Sequence, residues 1–200
     1  MTKYVLQSGG MRRQPQLKKQ FHQELVKGLG DNPKFLLCNF AQPREAWEVK
    51  FPGYSNTIIE DMPGGVKPTF VLAVPGTFTE QCKEADVIYF HGGDNDLIEY
   101  WMKKFDIPKM FKEKVVATNS ASSMMLANSY YTCDWRNCRK GFGILPIRFI
   151  AHYQSTFGDD DPIRGPIDWQ KAYNELRAYG DISLPIHALK EGEFIVMKRA

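Results

Sequence analysis

Long apolar runs, cysteine and an excess of one charge sign are all scarce in this sequence. No apolar run approaches the roughly 18 residues of a membrane span, and the start of the chain lacks the basic, apolar and small-residue order of a signal peptide. Lys and Arg number 26 against 23 Asp and Glu, in small scattered groups, which argues against a nucleic-acid interface. We therefore expect a cytoplasmic protein that binds neither membranes nor nucleic acid.

Metal-binding and phosphate-binding motifs are missing as well. The 4 cysteines are few for the length, and Cys133 and Cys138 lie too far from further Cys or His ligands for a zinc site, so we expect mostly structural, reduced thiols. Three consecutive aspartates at 159–161 lack the alternating ligand spacing of a calcium loop. No Gly-x-Gly-x-x-Gly and no Gly-Lys-Ser/Thr is present. We predict no metal and no cofactor.

The chain does have enough apolar residues for one sizeable core. With 200 residues and 43% hydrophobic content, a single domain over residues 1–200 is expected. Short apolar runs alternate with helical patterns, which predicts an α/β fold with a mainly parallel sheet and helices on both faces. The predicted strands are 4–6, 35–38, 69–74, 87–90 and 115–117, and the predicted helices are 16–28, 43–49 and 97–105.

The second half of the chain has a weaker pattern. Pro52-Gly53 is expected to interrupt the helix that starts near residue 43, and residues 130–146 are expected to be a polar, turn-rich excursion of the same domain. Beyond them, the predicted extended segments are 147–150, 182–184 and 194–197, with a helix at 169–179. Because ligands bind at the carboxyl ends of parallel strands, residues just after the predicted strands are the candidates for a site.

Ser120 is such a residue, placed between an apolar strand and a helix-like run. A serine at a sharp strand-to-helix turn has an exposed hydroxyl and nearby free N–H groups, as in a nucleophile elbow. The same position also suits a serine that only caps the helix. The functional interpretation therefore requires partners elsewhere in the chain.

A serine nucleophile needs a base, and histidine is the usual one. The chain has 4 histidines. His22 is expected on a surface or half-buried face of a helix, and His187 is expected to be structural. His91 and His152 both lie at strand ends, and the pattern alone does not separate them. Gly92-Gly93, directly after a strand, could offer N–H groups to an oxyanion or form an ordinary tight turn.

Taken in order, these residues resemble serine peptidase family S51, which includes dipeptidase E and cyanophycinase. The matching segments are Gly92-Gly93, Ser120-Ala121, 143–146 with His152 six residues later, and 189–192, and the resemblance covers residues 4–197. It implies a fold like that of class I glutamine amidotransferases and a Ser-His-Glu triad.

Carried over, the resemblance makes Ser120 the nucleophile, His152 the base and Glu191 the residue that orients His152. It implies an oxyanion hole formed by the N–H groups of Gly93 and Ala121. Asp134 competes with Glu191 for the acidic role, and only geometry can exclude it. Glu191 and Glu193 are expected to alternate along one strand, so that at most one of them enters the site.

The sequence departs from the family pattern at the elbow. Thr118 and Ser122 replace the two usual glycines. Asp94 places a carboxylate beside the oxyanion hole, where it would oppose the negative charge of the oxyanion unless its side chain points away.

Two functions are compatible with these residues. One is a hydrolase of small peptides, and the other is an inactive homologue that keeps the pocket as a binding or regulatory protein. A cysteine-based amidotransferase is a third, weaker alternative, because it would need Cys in place of Ser120.

Substrate preference is the least constrained expectation. An aspartyl dipeptidase needs a cation for the substrate carboxylate, and Arg164 is the only arginine between residues 153 and 171. Arg164 could equally pair with an aspartate at 159–161. Gly92 and Asn119 are further candidate substrate contacts. The expected partner is a small peptide, and the expected state is a monomer or homodimer.

Overall fold

The computed structural model describes residues 1–199, which contain ten strands and seven α-helices. The strands are β1 (Thr2–Gln7), β2 (Lys34–Cys38), β3 (Thr69–Leu72), β4 (Val87–Phe90), β5 (Val115–Asn119), β6 (Ser129–Thr132), β7 (Asn137–Lys140), β8 (Arg148–Ile150), β9 (Ile186–Ala188) and β10 (Phe194–Arg199). The helices are α1 (Pro15–Val26), α2 (Trp47–Asp61), α3 (Phe78–Glu84), α4 (Asn95–Met102), α5 (Ile107–Phe111), α6 (Ala121–Leu126) and α7 (Trp169–Ala178).

The larger sheet has six strands in the order β10-β1-β5-β4-β2-β3. Strands β1 to β5 are mutually parallel, and β10 pairs antiparallel with β1. Every residue of β4 is buried, as expected for a central parallel strand. Val87 and Tyr89 belong to one apolar core, whereas Ile88 and Phe90 belong to another. Since successive side chains point to opposite faces, helices must cover both sides, and the predicted α/β fold is confirmed.

A second, smaller sheet was not predicted. It has the order β7-β6-β8-β9, in which β6 and β7 form an antiparallel hairpin and β6, β8 and β9 run parallel. No strand was predicted in the turn-rich segment 130–146, yet it contains β7 and most of β6. Ser129 and Thr132 are fully buried in β6 although both are polar, so the hydropathy pattern conceals the strand.

Three further local predictions are wrong. Helix α2 continues through Pro52 and Gly53 to Asp61. Trp47 and Ile58, near its two ends, are both buried, so tertiary packing outweighs the local helix-breaking tendency. Residues 182–184 form a turn in which Asp181 accepts the Ser183 N–H (3.0 Å), and the strand starts at Ile186.

Glu191 and Glu193 do not share a strand. Glu191 lies in the turn between β9 and β10, and the Glu193 carboxylate accepts the Lys190 N–H (2.8 Å) within that turn. Separately, no helix among residues 1–199 combines the length and the apolar character needed to cross a membrane.

Candidate active site

The predicted site residues lie where strands of both sheets end. Ser120 follows β5, the Gly92-Gly93 turn follows β4, and His152 follows β8. Glu191 comes from the turn before β10. The larger sheet thus supplies the serine and the glycines, whereas the smaller sheet positions the histidine. The β9–β10 turn, which joins the two sheets, carries the glutamate.

Ser120 has a backbone conformation that non-glycine residues rarely adopt. Its φ of 50° and ψ of −113° place it in a sparsely populated region, at a cost on the order of 1–3 kcal/mol. Its N–H donates to the Gln7 carbonyl (2.9 Å), and α6 begins at the next residue. An ordinary N-cap serine accepts a backbone N–H with its side chain, but the Ser120 hydroxyl makes no such bond. It is directed instead toward His152.

Thr118 and Ser122 are buried and hydrogen-bonded at the elbow. The Thr118 hydroxyl lies 2.9 Å from the Ser123 hydroxyl, which donates to the Gln7 carbonyl (2.8 Å). The Ser122 hydroxyl donates to the His91 carbonyl (2.7 Å) and so connects α6 to the end of β4. All three side chains are completely buried. The two departures from the glycine pattern therefore tie the elbow to its neighbours.

The geometry separates the two candidate histidines. His152 Nε2 lies 3.0 Å from Ser120 Oγ. The His91 ring instead stacks on Tyr54, with 3.7 Å between ring centroids, and its Nε2 has no hydrogen-bond partner within residues 1–199. Burial lowers the pKa of His91 to about 3. His91 is thus a neutral, buried residue, and His152 is the histidine that meets the serine.

Glu191, and not Asp134, hydrogen-bonds His152. Glu191 Oε1 lies 3.1 Å from His152 Nδ1, and its Oε2 lies 3.3 Å from an Arg13 nitrogen. Because the carboxylate can only accept while ionised, Nδ1 carries the proton and Nε2 presents its lone pair to Ser120. Asp134 acts on His152 only through its charge, and burial raises the pKa of Asp134 itself.

The electrostatic balance keeps His152 neutral. Burial lowers the pKa of the imidazole, and the hydrogen bond and charge of Glu191 partly oppose this effect. Phe157 stacks on the ring with centroids 4.1 Å apart and contributes to the burial. At neutral pH His152 therefore has a free lone pair 3.0 Å from a serine hydroxyl, which is the arrangement that general-base catalysis requires.

The two residues assigned to the oxyanion hole by the resemblance lie beside the elbow: Ala121 directly follows Ser120, and Gly93 directly follows Gly92, which packs against Ser120. Gly93 has a φ of 152°, and a side chain there would collide with the Ala41 carbonyl, so only glycine suits this turn. The Asp94 carboxylate accepts the N–H groups of Asp96 and Leu97 (2.7 and 2.9 Å) and caps α4. The Asp94 carboxylate is therefore held by the first turn of α4.

Similarity to known proteins is found in structure and not in sequence. No protein-family model matches the chain, and no curated protein matches it. Among solved structures, a peptidase from an acI-B1 Actinobacterium superimposes with a TM-score of 0.67 at 22% identity, covering 99% of this chain and 84% of the other. A peptidase E candidate from Listeria monocytogenes EGD-e gives 0.62 at 13% identity, with 100% of both chains covered. The chain shares the fold of these structures.

Arg164, Gly92 and Asn119, the candidate substrate contacts, are not joined in a hydrogen-bonded chain like that of Ser120, His152 and Glu191. Arg164 makes an ion pair with Asp161 (2.6 Å) and donates to the Asp134 carbonyl, so its charge is already matched. Gly92 packs against Ser120, and a Cβ built on it would lie 3.2 Å from the serine Cβ. Asn119 ends β5 beside Gly92 and is only partly buried. Any substrate carboxylate at Arg164 would have to displace Asp161.

The sequence pattern did not indicate several residues at this site. Ser8, Gly9 and Gly10 follow β1 and contact His152 or Glu191, while Arg13 binds the outer oxygen of Glu191. The available signal was a Ser-Gly-Gly run directly after a strand, which is also typical of an ordinary turn. Phe157 carried no signal, because an isolated aromatic residue in a loop does not predict which ring it covers.

Proposed function

We propose that this protein is a serine hydrolase that cleaves small peptides through an acyl-enzyme. The observation that carries the proposal is the hydrogen-bonded line from Ser120 Oγ to His152 Nε2 (3.0 Å) and from His152 Nδ1 to Glu191 Oε1 (3.1 Å). It starts at a serine with positive φ directly before a helix, which is the position of an elbow nucleophile. The shared fold with solved peptidases agrees with this chemistry.

In the first step, Ser120 Oγ forms a bond to the scissile carbonyl carbon as its proton moves to His152 Nε2. The carbonyl oxygen becomes an oxyanion, and we assign the N–H groups of Gly93 and Ala121 as its hydrogen-bond donors, because Ala121 directly follows Ser120 and Gly93 follows Gly92, which packs against Ser120. Glu191 stabilises the imidazolium that forms, because it already accepts the Nδ1 proton.

In the second step, the imidazolium of His152 transfers its proton to the leaving amine, the C–N bond breaks, and an ester on Ser120 remains. A water molecule then attacks the ester carbon and gives a proton to His152. Ser120 leaves with that proton, which regenerates the free enzyme and releases the carboxylic acid. No group besides water is consumed.

Dipeptides that begin with aspartate are the narrower substrate class we propose. A cation must then face the substrate carboxylate, and Arg164 is the candidate. Because Arg164 is paired with Asp161 (2.6 Å), this part of the proposal requires the pair to open or a different cation to serve. The alternative of an inactive binding protein depended on Thr118 and Ser122. Thr118 bonds Ser123 within the elbow and Ser122 bonds the His91 carbonyl, and the Ser120–His152 contact is present beside them, which favours the hydrolase.

A dipeptide library tests the proposal. Wild-type protein should release free amino acids from a subset of its members, and Ser120→Ala should release none. Ser183→Ala, which alters an exposed serine hydrogen-bonded to Asp181 (2.6 Å), should match the wild type. Equal cleavage by wild type and Ser120→Ala would show that Ser120 is not the nucleophile. No cleavage by the wild type would count against a peptidase.

A further inference from the structure

The three residues of the proposed triad come from distant parts of the chain, yet one short segment touches all of them. This segment is residues 7–10, which we call the β1 turn. The Gln7 carbonyl accepts the Ser120 N–H (2.9 Å). The Ser8 hydroxyl accepts the His152 N–H (2.7 Å). Gly10 packs against Glu191, since a Cβ built there would lie 2.5 Å from its carboxyl carbon.

Ser8 has the most direct connection to the base. Its side chain is completely buried, and its hydroxyl makes two hydrogen bonds, accepting from the His152 N–H (2.7 Å) and donating to the Leu189 carbonyl (2.8 Å). Leu189 lies two residues before Glu191. One hydroxyl group therefore joins the backbone of the histidine to the backbone segment that carries the glutamate.

The backbone of His152 needs such a support. Its φ of 55° lies in the left-handed region, which a residue with a Cβ occupies only when the surrounding structure holds it there. A side chain on Gly9 would overlap the His152 ring, so the β1 turn contacts the imidazole as well as the backbone. The Gly9 carbonyl also accepts the Gly192 N–H (2.8 Å), directly after Glu191.

We propose that Ser8 is a positioning residue that holds His152 at hydrogen-bond distance from Ser120. This inference rests on the proposed function for its catalytic consequence, while the placement of the imidazole can be measured without catalysis. A methyl group at position 8 would leave the His152 N–H buried without its partner, whereas the Leu189 carbonyl would keep the Tyr153 N–H (2.9 Å). His152 could then relax toward ordinary φ, and its Nε2 would move away from Ser120.

A hydroxyl at the other end of β1 provides a matched control. Thr2 Oγ1 donates to the Phe111 carbonyl (2.9 Å) and accepts the Glu113 N–H (3.1 Å), and Thr2 is buried. Thr2→Val and Ser8→Ala therefore each remove a buried hydroxyl that bridges one N–H and one carbonyl. Only Ser8 connects to the proposed triad. Ser8→Cys keeps a similar volume with weaker hydrogen bonds, and it serves if Ser8→Ala does not fold.

The first measurement is the rate at which a fluorophosphonate labels Ser120, corrected for the folded fraction. We expect Ser8→Ala to slow labelling about 10- to 100-fold, since a displacement of roughly 1 Å can cost that much. Ser8→Cys should fall between it and the wild type, and Thr2→Val should stay within about two-fold of the wild type. Ser8→Ala that labels as fast as Thr2→Val would overturn the proposal.

The second measurement is the proton NMR resonance of His152 Nδ1–H, assigned with His152→Ala. The hydrogen bond to Glu191 should give a downfield signal in the wild type and in Thr2→Val, and this signal should be lost or shifted in Ser8→Ala. An unchanged signal would refute the positioning role. If the wild type is not labelled at all, the hydrolase proposal fails, and the NMR comparison alone decides the role of Ser8.

Discussion

Two buried histidines in this protein each bind a carboxylate through Nδ1, and each carboxylate also binds a cation. His152 pairs with Glu191 (3.1 Å), which contacts Arg13 (3.3 Å), and His22 pairs with Asp61 (2.7 Å), which contacts Lys18 (3.3 Å). Burial lowers the pKa of both imidazoles. Each cluster thus consists of a histidine, a carboxylate and a cation, and burial shifts the pKa of both imidazoles in the same direction.

The surroundings of the two imidazoles differ. His22 lies within α1, and its ring packs against Phe21 and Tyr89, with centroids 5.6 and 6.4 Å away. His152 lies in a loop at positive φ, and its Nε2 faces a serine that also has positive φ. A histidine–carboxylate pair therefore does not by itself indicate catalysis. The third partner and the unusual backbone make the difference.

The largest expected effect separates the two histidines. His152→Ala should lower the rate of Ser120 acylation by about 10⁴-fold or more, because the serine loses its base. His22→Ala should leave that rate within about three-fold once the folded fraction is taken into account. Stopped-flow or mass-spectrometric acylation rates measure both. Similar losses in the two variants would contradict the assignment of His152, and not His22, as the base for Ser120.

The two acids near His152 should also differ, by a smaller amount. Glu191→Gln should slow acylation by about 10²- to 10⁴-fold, because the imidazolium loses its charged partner. It should also move the acidic limb of the pH–rate profile to lower pH, since Glu191 raises the pKa of His152. Asp134→Asn should shift this limb in the same direction but less. A larger loss for Asp134→Asn would assign the acidic role to Asp134.

His91, buried without a carboxylate, extends the comparison to stability. Its pKa is lowered to about 3 by burial. As the pH falls, His91 is therefore protonated in the unfolded chain before it is protonated in the folded protein. The stability due to neutral His91 is therefore complete above pH 6.5 and is lost as the pH falls from about 6.5 toward 3. Between pH 6.5 and 4.5 we expect a loss of roughly 2 kcal/mol from this residue. Urea denaturation of wild type and His91→Asn measures it, and equal pH slopes would contradict it.

The Asp61 pair should affect stability without affecting catalysis. Asp61→Asn replaces a charged acceptor in a buried hydrogen bond, which should lower the free energy of unfolding by about 1–3 kcal/mol. The acylation rate of the folded protein should remain unchanged. A lower denaturation midpoint together with an unchanged rate would support a structural role for the His22–Asp61 pair. A slower rate in fully folded Asp61→Asn would show that the second pair reaches the site.

The smallest effect concerns the cations. Arg13 is two-thirds exposed (66%), so removing its contact with Glu191 should leave stability almost unchanged. Its charge slightly lowers the pKa of His152, so Arg13→Gln should move the acidic limb of the pH–rate profile to higher pH. Lys18→Gln at the other pair should not move it. A shift to lower pH in Arg13→Gln would contradict the electrostatic account.

The two sheets differ in how well their strands could be predicted from the sequence. The strands of the larger sheet could be predicted, because buried parallel strands such as β4 are apolar throughout. Ser120 could be predicted as a candidate site residue because it directly follows the apolar strand β5. The hairpin of β6 and β7 could not be predicted, because its buried positions include Ser129 and Thr132. Polar residues in a buried strand remove the signal on which the prediction depends.

The histidines illustrate a second limit. His22 was expected on a surface or half-buried face and is completely enclosed, because Asp61, which lies 39 residues away in sequence, supplies its partner. His152 and His91 were equivalent by pattern and were separated only by the family resemblance. Distances between remote segments decide these roles, and local sequence does not encode them. The Ser8 contact across 144 residues is the same kind of feature.

The most direct measurement is the intact mass and peptide map of protein treated with a fluorophosphonate, for the wild type, His152→Ala and His22→Ala. The account predicts one adduct on Ser120 in the wild type and in His22→Ala, and none within the same time in His152→Ala. An adduct that forms equally fast without His152, or a wild type that forms none on Ser120, would contradict it.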